Sequence, residues 1–147
     1  MGNGRRNHMK RIIIFRVWNK RIKQMKIVER IFFNEDTVEV SYGFTGSDKG
    51  TWFLEHCELM QFTGAFDSKI ARIFEGDILD CVAKEEYNEY IGKFVCVFSD
   101  ENSFVLQELS KFKQELYNGF PINWDGFKSK KIIGNIFQNP ELLREDK

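Results

Sequence analysis

Few residues in this chain stand at spacings that could carry chemistry. Glu75, Asp77 and Asp80 form its densest acidic group, at the start of an apolar run. Glu75 and Asp77 are two apart, so on a strand they share a face, and carboxylates so placed suit a hard cation. Asp80 falls on the opposite parity, and such a cation wants about six oxygen ligands, more than this stretch offers. A structural turn is the stronger reading, and no metal is expected. His56 beside a cysteine raises a Cys–His nucleophile. Yet Cys57 is its immediate neighbour, and strand neighbours point to opposite faces. Cys81 and Cys96 lie inside apolar runs, where free cysteine behaves as a small hydrophobe. Two His and three Cys match no zinc spacing. Tyr42-Gly43-Phe44-Thr45-Gly46 leads into polar residues rather than a helix, so it reads as a loop and not a phosphate cradle. No catalytic residue and no cofactor are expected, and the chain reads as non-enzymatic.

Binding is the better positive hypothesis. Arg16, Lys20, Arg21, Lys23 and Lys26 are interleaved with Phe15 and Trp18. Cations beside aromatic rings can neutralise phosphates and stack bases. Trp18 serves a core equally well, and the run also fits a solvated strand face. Charge is neutral in sum, 22 basic against 22 acidic residues, but residues 1–30 hold ten Lys or Arg and one acid, Glu29. The other 117 residues hold 12 basic and 21 acidic side chains, so a +9 segment faces a −9 remainder. Such a split lets a basic edge meet the acidic surface of a neighbour, and a flat strand from Ile12 to Val17 could pair edge to edge. The five cations are therefore the candidate contacts. A second copy or another protein is the expected partner, with nucleic acid as the alternative.

The elements that must position these residues are mostly strands. Ile12–Trp18 is apolar and β-branched, Asn19–Gln24 is a basic turn, and Met25–Phe33 alternates. Asn34-Glu35-Asp36 has turn chemistry before Thr37–Tyr42, a hairpin signal. The segment 43–50 is a glycine-bearing loop. Apolar character resumes at Trp52–Leu54 and Leu59–Phe62. Gly76 takes the positive-φ position of a tight turn, and Asp77 bonds nearby backbone N–H groups as a strand begins that runs to about Ala83. Lys84–Tyr90 reads as a charged loop tip. Gly92–Phe98 and Ser103–Glu108 form a hairpin about Ser99–Asn102. Leu109, Phe112 and Leu116 approach a helical period, which predicts a short helix over 109–118, stopped by Gly119 and Pro121. Lys131–Phe137 is the last strand. Asn139 and Pro140 suit the N-cap and first position of a closing helical turn, which Leu142 and Leu143 would pin to the core.

With 147 residues, 42% apolar, and fifteen of them Phe, the chain can build a core without metal or disulfides. Three unpaired cysteines argue against a disulfide framework. The run Ile12–Phe15 is far short of the roughly 20 residues a span needs, so a cytoplasmic protein away from the membrane is expected. The first eight residues are polar and aperiodic, and Met9 reads as a natural start. Residues 1–9 are set aside as a disordered or appended segment, and 10–147 as one β-rich domain with sub-lobes 10–62 and 73–143.

Three stretches taken in order resemble the YopX family, small proteins encoded mainly by phages and prophages. The first is Phe15-Arg16-Val17-Trp18-Asn19, followed by Met25. The second is Leu59-Met60-Gln61-Phe62-Thr63-Gly64, joined by a polar link to Phe74-Glu75-Gly76-Asp77-Ile78-Leu79. The third is Ile132-Ile133-Gly134-Asn135-Ile136-Phe137, then Asn139-Pro140-Glu141-Leu142-Leu143. The link 65–72 and the stretch 109–126 depart from the family pattern. The resemblance implies a mainly β protein with an SH3-like barrel in its C-terminal half, from near Glu75, to which the residue pattern adds one or two short helices. It implies no established activity and carries no catalytic residue over. Gly64, Glu75, Gly76, Asp77, Gly134, Asn139 and Pro140 are read as structural. A phage or prophage accessory protein in a host bacterium, acting by binding, is the expectation that follows.

Overall fold

The computed structural model describes residues 11–42, 48–112 and 119–144. Eleven strands build two antiparallel sheets among these residues. The first sheet contains β1 (Phe15–Asn19), β2 (Gln24–Phe32), β3 (Thr37–Tyr42), β4 (Asp48–Phe53), β5 (Cys57–Phe66) and β6 (Arg72–Phe74), in the order β4-β3-β2-β1-β5-β6. The second contains β7 (Asp77–Glu85), β8 (Asn88–Phe98), β9 (Phe104–Glu108), β10 (Phe120–Pro121) and β11 (Phe127–Asn135), in the order β10-β9-β8-β7-β11.

Local chemistry sets the turns. Asn19 is buried, and its Oδ1 accepts from the N–H groups of Arg21 and Ile22, folding the β1–β2 turn back on itself. The expected hairpin about Asn34–Asp36 forms, with Asp36 at φ 52°. Gly76 stands at φ +85°, the left-handed conformation expected of it. The charged tip at 84–90 is shorter than expected. β7 and β8 stay paired out to Glu85 and Asn88, which leaves Glu86 and Tyr87 as a two-residue turn.

Several expectations need correction. The loop expected over 43–50 gives way to β4 at Asp48, and 43–47 lie outside the described residues. β1 lies between β2 and β5, so the part of Ile12–Val17 that forms the strand has a neighbour on each side from Arg16 onward and is no free edge. The last strand starts at Phe127 rather than Lys131, because Trp124 and Phe127 pack at 5.3 Å and carry the chain into the sheet early. The helix over 109–118 is a single 3-10 turn, Leu109–Lys111, as far as the described residues reach; 113–118 lie outside them. The closing turn is likewise 3-10, Pro140–Leu143, and Asn139 does not cap it through its side chain. Its Oδ1 instead accepts from the N–H of Asn135 at 3.2 Å.

Each lobe has its own apolar cluster. Val17, Val38, Val40, Trp52 and Cys57 fill one face of the first sheet. Leu79, Cys81, Phe94, Cys96, Leu106 and Ile122 fill the second lobe, joined by Ala65 and Ile73 from β5 and β6. β5 and β6 thus belong to the first sheet by hydrogen bonding and to both lobes by packing. Among the described residues no strand pairing joins β10 to β11, so the second sheet remains open.

Candidate interaction surface

The Phe74–Asp77 turn fastens the lobes together. Asp77 is 2% exposed, and its Oδ1 accepts from Arg16 Nη2 at 2.7 Å, while Oδ2 accepts from the N–H of Phe74 at 2.8 Å. Arg16 Nη2 also donates to the carbonyl of Glu75, and its guanidinium lies 4.8 Å from the Phe74 ring centroid. Burial pushes the Asp77 carboxyl upward, and the opposing pull of Arg16 and the Phe74 N–H does not cancel it. Glu75 Oε1 accepts from the N–H of Gln61 in the first sheet. Asp80 faces the other way, between Lys93 and Lys131 on the flanking strands. The acidic trio is therefore parted, and no group of three or more His, Cys, Asp or Glu among the described residues could hold a metal ion.

The link between β5 and β6, a departure from the family pattern, holds a second fastening. Asp67 Oδ1 accepts from the N–H groups of Lys69 and Ala71, and its Oδ2 from that of Ile132 on β11. Burial pushes this carboxyl upward, but those backbone donors outweigh it and hold it below the usual carboxylate range. Ser68 N–H donates to the Lys130 carbonyl, and Ser68 Oγ accepts from the Lys130 N–H. The outer edge of β11 is thus covered. Sequence reasoning missed the joining role of Asp67 because the one of its three donors that lies on β11, Ile132, is 65 residues away.

The five candidate cations separate. Arg16 is only 12% exposed and committed to Asp77, so it does not stand at the surface with the rest. Lys20, Arg21 and Lys23 project together from the β1–β2 turn, and Lys23 holds φ 58°. Lys20 reaches Glu58 at 3.4 Å, and Arg21 Nη1 lies 3.3 Å from His56 Nε2. Lys26 sits 5.0 Å over the Tyr42 ring. Trp18 stacks on Phe137 across the lobes at 6.2 Å and is buried, which withdraws it from base stacking. His56 turns outward to Arg21 and Glu55, whereas Cys57 is buried in the first lobe.

The motif residues read as structural stand at bends and joints. Gly64 (φ +87°) lies where the β5–β6 pairing slips register. Gly134 passes so close to Asn139 that a Cβ there would lie 2.5 Å from its Oδ1. Pro140 opens the last turn.

Sheet edges are where a β protein offers backbone to a partner. Here β6 has three residues, β10 has two, and β11 is covered by Asp67 and Ser68. The fourth edge, β4, has six residues, and no described residue pairs with its outer side. At its end Phe53 is 58% exposed, beside Phe32 and Phe33 on the β2–β3 hairpin. Between Phe32 and Phe53 lies buried Thr37, whose hydroxyl has no hydrogen-bond partner among the described residues. A separate groove of about 670 Å3, with Tyr90, Lys93, Glu108 and Arg144 on its walls, runs along β8. No helix among the described residues is long and apolar enough to cross a membrane.

Comparisons with known proteins follow the same outline. No curated protein matches the chain. The crystal structure of protein EF1440 from Enterococcus faecalis superposes with a TM-score of 0.56 at 24% identity, covering 92% of this chain and all of that one. The crystal structure of protein yopX from Bacillus subtilis gives a TM-score of 0.56 at 20% identity, over 89% of this chain and 98% of that one. At these identities the likeness is one of fold. The family model described as YopX protein matches residues 14–144, nearly the whole length, and the chain belongs to the YopX family.

Proposed function

We infer that this protein is a non-enzymatic interaction module that binds protein, a second copy of itself included. The observation that carries this reading is the open outer side of β4, in a molecule whose other edges are short or covered. Exposed Phe53 and Phe33 at its end add apolar area for a partner. Cytoplasmic action as a phage or prophage accessory protein in a host bacterium is part of this reading, supported by family membership alone. An SH3-like barrel in the C-terminal half is likewise a proposal. The approach of Phe120 on β10 to Phe127 on β11, 6.0 Å between ring centroids, supports a sheet that curls nearly shut.

Light scattering in line with size exclusion, at low and at high salt, tests the reading. A multimer supports it, and its dissociation at high salt would make the +9/−9 split an assembly device. A monomer at both salts, with no protein retained on the immobilised chain, overturns it. One observation favours a second reading: Lys20, Arg21 and Lys23 share one exposed turn. Nucleic acid retained in purification and shed at high salt, with loss on Lys23→Ala, would support that alternative.

A further inference from the structure

We propose that the outer side of β4 pairs antiparallel with β4 of a second copy, with Thr51 on the twofold axis. This rests on the reading of the chain as an interaction module and names the partner. The register comes from the backbone. Leu54 N–H donates to the Asp36 carbonyl at 2.8 Å, and in an antiparallel pair such bonded positions alternate. Trp52, Gly50 and Asp48 therefore turn their backbone groups toward β3, and Phe53, Thr51 and Lys49 turn theirs outward. One twofold register pairs all three outward residues: Thr51 with Thr51, and Lys49 with Phe53 in both directions. Any slip leaves at least one of them outside the strand.

The side chains agree with that register. Phe32, Thr37 and Phe53 form one lateral row of the sheet, and Arg30, Glu39 and Thr51 the next. Beyond lies a row in which Lys49 Nζ donates to Ser41 Oγ, and Ser41 Oγ to Glu29. Pairing through Thr51 sets the aromatic row of one copy against the Lys49 row of the other, a cation over an exposed ring. It also sets two threonines side by side, a favourable cross-strand pair. Such an isologous contact closes as a dimer rather than growing as a fibre.

The test is Thr51→Cys under mild oxidation, with Lys49→Cys as its register control. The three native cysteines are buried and leave the background clean. The expected result is a disulfide-linked dimer for Thr51→Cys, because paired positions across antiparallel strands fall within disulfide reach. Lys49→Cys stays unlinked alone and links when combined with Phe53→Cys. Thr51→Pro, which removes an outward N–H and spares the β3 ladder, should halve the molar mass in solution while keeping the far-ultraviolet dichroism. A wild-type dimer in which Thr51→Cys does not link, or which Thr51→Pro leaves intact, overturns the β4 register and spares the self-assembly reading. A wild-type monomer overturns the register and self-assembly together.

Discussion

Arg16 and Asp77, 61 residues apart, meet at 2.7 Å and tie the first sheet to the second. The pair is nearly dry, so its worth lies less in net attraction than in the cost of parting it. Two buried charges together roughly offset their desolvation, whereas one left alone does not. Asp77→Asn should therefore destabilise the fold by about 3–5 kcal/mol, since Arg16 keeps its charge without a counter-charge. Arg16→Met combined with Asp77→Leu should recover much of that loss. Urea titrations of the wild type, Arg16→Met, Asp77→Leu and the double variant form the double-mutant cycle, and additive losses would remove the pair from its joining role.

This pair also shows where the sequence stops being legible. Apolar alternation located most strands, and Thr37–Tyr42 matches to the residue. Gly76 was readable because a glycine before an aspartate and an apolar run has few other uses, and its φ bears that out. Arg16 was readable only as one of five candidate contact cations, not as half of a buried pair. Its partner lies in another sheet, and no local period encodes a contact at such separation. The bond from Ile132 to Asp67 was hidden for the same reason. The edge was misplaced because alternation says which face a residue takes and nothing about which strands flank it; β1 is as apolar as an edge strand and sits inside.

Two glycines should be intolerant for different reasons. Gly76 combines φ +85° with Met60 Sδ only 3.3 Å from where a Cβ would stand. Gly76→Val should cost about 1–3 kcal/mol, and unchanged stability in a denaturant titration would dismiss the strain. Gly134→Ala should cost a similar amount by displacing the Asn139 side chain. Asn139→Ala should relieve part of that cost in the double variant.

The cysteines should be silent toward thiol reagents. Burial pushes the Cys81 thiol up to about 12 and raises Cys96 as well. Cys57 is raised chiefly by burial, with Lys20 opposing and Glu58 adding. Thiolate is the reactive form, so labelling of the native protein at mildly alkaline pH should show no fast phase. Its slow phase should follow global unfolding and quicken in Asp77→Asn. A rapidly modified thiol would contradict the burial of all three.

Acid stability should depend on Asp67. Its native pKa lies below the unfolded value of about 4, so the unfolded chain binds more protons between the two. Its contribution is full above the unfolded value and is lost as pH falls through the native one. Asp77 has the opposite sign, because its native pKa is raised: its contribution is full below the unfolded value and is lost as pH rises through the native one. Asp67→Asn should cost about 1–3 kcal/mol at neutral pH, where three backbone donors lose a charged acceptor. On acidification the variant should lose stability less steeply than the wild type, because it lacks the Asp67 term, while the Asp77 term is common to both proteins. Urea midpoints measured from neutral pH down through the carboxylate range check this. Parallel curves would mean that the Asp67 cradle does not couple protonation to folding, and that β11 is held by packing without it.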